Sequence, residues 1–140
     1  DQPVINAGKS GDTTRDALKR LQKDVLDENP RIVIVEFGGN DYLNKILPEE
    51  TYRNLDEIVA AIQEHGAIVV LATVRIGVFY DEYYSGFKKI ARKRKALLIP
   101  DIMQGILTDP GLKSDSLHPN AQGYKIIAEK IYQRIASLLK

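Results

Sequence analysis

The chain has 140 residues, 44% of them hydrophobic and 28% charged, which suffices for one compact domain over residues 1–140 and is too short for two. Twenty Lys and Arg against nineteen Asp and Glu leave a formal charge of +1, so no field of one sign exists to recruit nucleic acid or an anionic membrane surface. The lack of cysteine excludes disulfides, a thiolate nucleophile and a Cys-type zinc site but leaves the compartment open, and no apolar run reaches the ~18–20 residues of a membrane-spanning helix.

The opening Asp1-Gln2-Pro3 carries no initiator Met, basic region or apolar signal core, so a targeting segment is absent or already removed. Val4 to Asn6 is a short β-branched run that predicts a first strand. Ala17, Leu18, Leu21, Val25 and Leu26 then recur at helical spacing, with Asp12 or Thr13 as N-cap and Asn29-Pro30 as the stop. Ile32 to Val35 are apolar without alternation, which suits a strand covered on both faces. Pro48 to His65 predicts a helix burying Leu55, Ile58, Val59 and Ile62, closed by Gly66. Ala67 to Val74 predicts a strand, Tyr83 to Lys95 a basic helix, Ala96 to Ile99 a short strand, and Pro119 to Leu139 a last helix. Four strands alternating with four helices imply right-handed crossovers and a parallel sheet, hence a three-layer α/β/α, flavodoxin-like fold.

Ligands of such sheets bind beyond the carboxyl ends of the strands, so the loops that follow each strand are where chemistry is expected. Gly8-Lys9-Ser10 has the look of a phosphate loop, but Pro3 stands where a P-loop needs its first glycine, and no Gly-x-Gly-x-x-Gly occurs. Gly11, at the foot of a helix, either eases a tight turn or aims a free N–H at an anion or a developing oxyanion. In Gly38-Gly39-Asn40-Asp41, Asn40 offers an amide donor over a strand end, with an Asx-turn as the structural alternative. In Ser114-Asp115-Ser116-Leu117-His118-Pro119, Asp115 lies near enough to accept a bond from His118 Nδ1 and so fix the tautomer. The alternatives are a capping Asp and a surface His. His65, in the last turn of a helix, complements the dipole and is assigned no chemistry. Two histidines distant in sequence, with no His-Glu-x-x-His run, give no zinc site, and no cofactor is expected.

Asn6 to Thr13, Gly38-Gly39-Asn40-Asp41 and Asp115 to Pro119, in that order, resemble the second, third and fifth sequence blocks of the SGNH (GDSL-type) hydrolases. The likeness is nearest to the bacterial lysophospholipase, thioesterase and arylesterase branch, where an Arg-Ile pair, here Arg75-Ile76, also lies near the substrate. The resemblance implies five parallel strands between helices and hydrolysis of carboxylic esters or thioesters through a serine acyl-enzyme. By position it makes Gly11 and Asn40 the oxyanion hole, and Asp115 and His118 the triad acid and base.

The family's Gly-Asp-Ser-Leu block has no counterpart here, since Gly11-Asp12 is followed by Thr13, and Ser10 and Ser114 occupy other block positions. The expectation is therefore four strands with the family's first strand missing, no nucleophile in this chain, and no activity of the chain alone. An N-terminal segment carrying strand and serine is expected as a docked peptide or separate chain, filling a gap between the Val4 and Arg31 strands. The rival expectation is a non-catalytic module that keeps the oxyanion pocket for a carboxylate or acyl group. The aromatic stretch from Arg75 to Tyr84 reads as packing before it reads as an acyl wall, and the Lys88 to Lys95 cluster as a solvated helix face.

Overall fold

The computed structural model describes residues 3–75 and 80–140. Three parallel strands, β1 (Ile32–Glu36), β2 (Ile68–Ala72) and β3 (Leu97–Ile99), lie in the order β1-β2-β3. Ile32 is in register with Ile68, and Val70 with Leu97. The helices are α1 (Thr14–Asp24), the short α2 (Gly39–Leu43), α3 (Pro48–Glu64), α4 (Tyr80–Arg94) and α5 (Ala121–Ile135).

Strand side chains alternate between two cores, as the two-residue period of a strand requires. Val35, Val69 and Leu71 face α1, α3 and α4 through Ala17, Leu21, Leu55, Ile58, Phe87 and Ile90. Val70, Ala72 and Ile99 face the other way, onto Ile102, Met103, Ile106 and Ile127 of α5. Two crossovers stepping in one direction across the sheet put α3 and α4 on the same face, as right-handed connections dictate. The layers are helix, sheet, helix.

Four sequence expectations are corrected. Val4 to Asn6 forms no strand: Val4 is 90% exposed, and the sheet has three strands among the described residues, not four. A β-branched run without a neighbouring ladder has no partner for its backbone groups, so propensity alone does not make it a strand. β1 is not covered on both faces, because Ile34 is 43% exposed. The first helix ends at Asp24, before Asn29-Pro30; a single 3₁₀ turn, Leu26–Glu28, and a left-handed Asn29 fill the interval. Gly38-Gly39 was read as loop, yet Gly39 already begins α2.

Charge ties the α-helical layer together. Arg94 of α4 holds Asp56 of α3 through two bonds of 2.8 and 2.7 Å, and Lys93 adds a third at 2.8 Å. The Arg94 bonds, with help from Lys93, hold the Asp56 carboxyl down from the ordinary 3.8 to about 2. A carboxyl whose folded value is depressed adds stability above its unfolded value and loses it as pH falls through the folded one. The melting temperature is therefore expected to fall between pH 4 and pH 2, and Asp56→Asn to flatten that fall. Thermal melts across this interval check it; parallel curves for the two proteins would show that the pair does not contribute.

Candidate active site

The parallel sheet sends the segments after β1, β2 and β3 to one edge. After β1, Gly38 (φ 112°) turns the chain into α2, whose second and third residues are Asn40 and Asp41. Asn40 Nδ2 donates to the Asp12 carbonyl at 3.0 Å, joining α2 to the turn ahead of α1 across 28 residues of sequence. Gly11 lies next to that carbonyl with φ 85°, which an L side chain would strain, and its N–H has no hydrogen-bond partner among the described residues. Arg20 of α1 pins the same turn, bonding the Asp12 carboxylate and the Ala7 carbonyl at 2.6 Å each.

Beside Asn40, Asp41 is wholly buried. Its carboxylate accepts the Thr14 N–H at 3.0 and 3.3 Å, the Thr14 hydroxyl, and the Thr51 hydroxyl at 3.1 Å. Asn54 Nδ2 in turn donates to the Thr14 hydroxyl oxygen at 3.1 Å. A buried carboxylate is tolerated because donors, among them the first N–H of α1, converge on it. Sequence reasoning assigned nothing to Asp41 or Arg20. The signal available was a carboxylate directly after Asn40, but its partners are 10 and 27 residues away and no local pattern links them.

The other half of the site is built in the loop before α5. Lys113 and Pro119 form an antiparallel bridge, the Ser114 N–H donates to the His118 carbonyl at 2.9 Å, and Asn120 caps α5 by accepting from Gln122 and Gly123 N–H. Gly123 lets this loop lie against the helix: a Cβ there would fall 2.4 Å from the Leu112 carbonyl oxygen. At the loop's tip, Asp115 Oδ1 accepts the N–H groups of Leu117 and His118, both at 2.8 Å, and Oδ2 lies 2.7 Å from His118 Nδ1. The Leu117 N–H first, then the His118 N–H and imidazole, hold the Asp115 carboxyl at about 2.

The His118 and Asp115 side chains are 66% and 55% exposed, so the ion pair adds little to stability. What the contact does is orient a ring. With Nδ1–H donating to the carboxylate, Nε2 is left as an acceptor, and no described residue bonds it.

The structure thus brings Asn40 to the Gly11–Asp12 turn, and Asp115 to His118; no hydrogen bond or ion pair joins the two pairs. Arg75, after β2, is exposed, and its N–H donates to Asp101 Oδ1 of the segment after β3 at 3.2 Å. Ile76 lies outside the described residues, as do residues 77–79 of the aromatic stretch. Ser114 Oγ lies 3.3 Å from both the His118 and Pro119 carbonyls. Among the described residues no helix is long and apolar enough to cross a membrane.

Comparison with known proteins converges on one family. Residues 1–126 match the family described as GDSL-like Lipase/Acylhydrolase. An arylesterase of Vibrio mimicus is 32% identical over 145 residues, covering 99% of this chain and 72% of the relative. A thioesterase 1/protease 1/lysophospholipase L1 of Escherichia coli K12 is 31% identical over 142 residues, covering 97% and 68%. The crystal structure of a TesA superposes with a TM-score of 0.88 at 28% identity over 99% of this chain and 80% of that one. The psychrotrophic esterase EstA from Pseudoalteromonas sp., solved with monoethylphosphonate as inhibitor, gives 0.87 at 30% over 96% and 77%.

Proposed function

The chain belongs to the GDSL-like lipase/acylhydrolase family, and from that membership we propose that it hydrolyses carboxylic esters or thioesters through a serine acyl-enzyme. The observation that carries this reading is the Asp115–His118 contact of 2.7 Å, which leaves Nε2 unbonded and directed to accept a proton. Relatives named as arylesterase, esterase and thioesterase support the substrate class.

In this mechanism His118 Nε2 takes the proton of a serine hydroxyl as its oxygen attacks the acyl carbon, and Asp115 stabilises the imidazolium without itself gaining the proton. Negative charge then collects on the former carbonyl oxygen. The Gly11 N–H and the second N–H of the Asn40 amide receive it. His118 returns its proton to the leaving oxygen or sulfur, and water repeats the sequence to free the acid. Arg75, which follows β2, is the described residue that the family resemblance sets near the acyl group.

The serine itself comes, in this proposal, from outside the 140 residues, on a strand that pairs with β1. Two features support that placement: β1 is an edge strand of a parallel sheet, and its Ile34 side chain is 43% exposed. Strands of this kind are normally buried within a sheet, because an open edge invites pairing. The small acyl substrate and this strand are the two partners the site requires.

A fluorophosphonate, which forms a tetrahedral adduct on an activated serine, tests the reading. Peptide mapping of the labelled full-length protein is expected to place one adduct on a serine outside residues 1–140. An adduct on Ser10 or Ser114 overturns the placement. No adduct together with no ester hydrolysis overturns the enzyme, in favour of a non-catalytic carboxylate- or acyl-binding module.

A further inference from the structure

We propose that Asp41 is a positioning residue whose buried carboxylate sets the spacing between the Gly11 N–H and the Asn40 amide. The inference rests on the hydrolase reading above and adds to it a residue that never touches substrate.

Asn40 and Asp41 are consecutive in α2 and grip the same short segment from one side, Asn40 at the Asp12 carbonyl (3.0 Å) and Asp41 at the Thr14 N–H (3.0 Å). Gly11 is covalently joined to that segment. Two bonds made by neighbouring residues to points two residues apart remove the rotation that either bond alone would allow. The two donors of the oxyanion hole come from different elements, so only such a tie fixes one against the other. Misplacement by about 1 Å is enough to forfeit much of the rate that oriented groups supply.

The chemistry of the network explains why the group is a carboxylate. Asn54 donates to the Thr14 hydroxyl oxygen, so the hydroxyl hydrogen is directed to Asp41 Oδ1. Thr51 adds a second hydroxyl to the same oxygen, and the Thr14 N–H approaches Oδ2. Every contact is a donor meeting an acceptor. An amide of the same shape, with its oxygen kept on the hydroxyls, would turn an NH₂ toward the Thr14 N–H and push the start of α1, with Gly11, away from Asn40. Thr13, between the two grips, is itself held by Asp16, which accepts its N–H at 3.1 Å and its hydroxyl at 2.7 Å. The helix start therefore moves as a unit.

The test uses the full-length protein and a short-chain aryl ester, with kcat, KM and melting temperature measured for Asp41→Asn, Thr14→Val and Thr14→Ser. Asp41→Asn and Thr14→Val are expected to lose about tenfold or more in kcat, with KM within about twofold, when assayed well below their melting temperatures. Thr14→Ser keeps the hydroxyl and is expected to retain kcat. A purely structural staple would lower melting temperature and leave kcat of the folded protein unchanged in the first two variants, which overturns the proposal. If Asp41→Asn does not fold, the Thr14→Val and Thr14→Ser pair decides by the same criterion. His118→Ala, run alongside, separates the two levels: activity retained there overturns the hydrolase reading, whereas activity lost there with full kcat in the Asp41 and Thr14 variants overturns the positioning role alone.

Discussion

Replacing His118 with alanine is expected to lower kcat for ester hydrolysis by about 10³-fold or more, a loss of general acid–base catalysis that the rest of the molecule cannot make good. The only other histidine, His65, follows α3 and precedes β2, so it stands at the amino edge of the sheet, opposite the loops that carry Asn40 and Arg75. Because Asp115 is held at about 2, its carboxylate is a weak base, poorly matched to taking the serine proton in place of His118. The loss should depend on the leaving group. An aryl oxide of low pKa departs with little protonation, whereas an alkoxide needs the proton that His118 returns. Steady-state rates for an aryl and an alkyl ester of the same acid are thus expected to diverge in His118→Ala, with the alkyl ester suffering more. Activity within tenfold of the unmodified protein on both esters would remove His118 from the reaction.

Periodicity made the helices and the central strand legible. Val69, Val70 and Leu71 are 0–1% exposed, and an unbroken apolar run of this length has no other place in a parallel sheet. The same rule failed at Ile34, since a sequence run reports what a strand can bury and not which neighbours cover it. Val4 and Ile5 failed for a related reason: β propensity is a tendency to fit a ladder, and no ladder reaches them. At the site, the Asp115–His118 contact was readable because it spans three residues in one loop. The Asn40–Asp12 bond was readable only as a shared edge, and the Asp41 network not at all, since its hydroxyl partners belong to helices whose mutual packing sets the distances. Short-range polar contacts follow from spacing; long-range ones follow from the core.

Asn40→Ala is expected to lower kcat by about 10²–10³-fold, some 3–4 kcal/mol of transition-state stabilisation, with little change in KM. The split follows from where the charge is. A ground-state carbonyl gains little from a strong donor, while the tetrahedral oxyanion gains most, so removing the amide removes binding that exists only at the top of the barrier. The amide has a second duty here, because it ties the Asp12 carbonyl at 3.0 Å and thereby the Gly11 turn. Alanine removes both, so the loss should exceed that of a donor with no structural partner. Asn40→Asp keeps the volume but also loses both bonds, and it faces a carboxylate toward the Asp12 carbonyl and the developing oxyanion. Its kcat is expected to fall at least as far as that of alanine, because repulsion is added to the lost donor. Near-normal kcat in Asn40→Asp would mean that the side chain meets no negative charge in the transition state, and Asn40 would then be a loop-stabilising residue only.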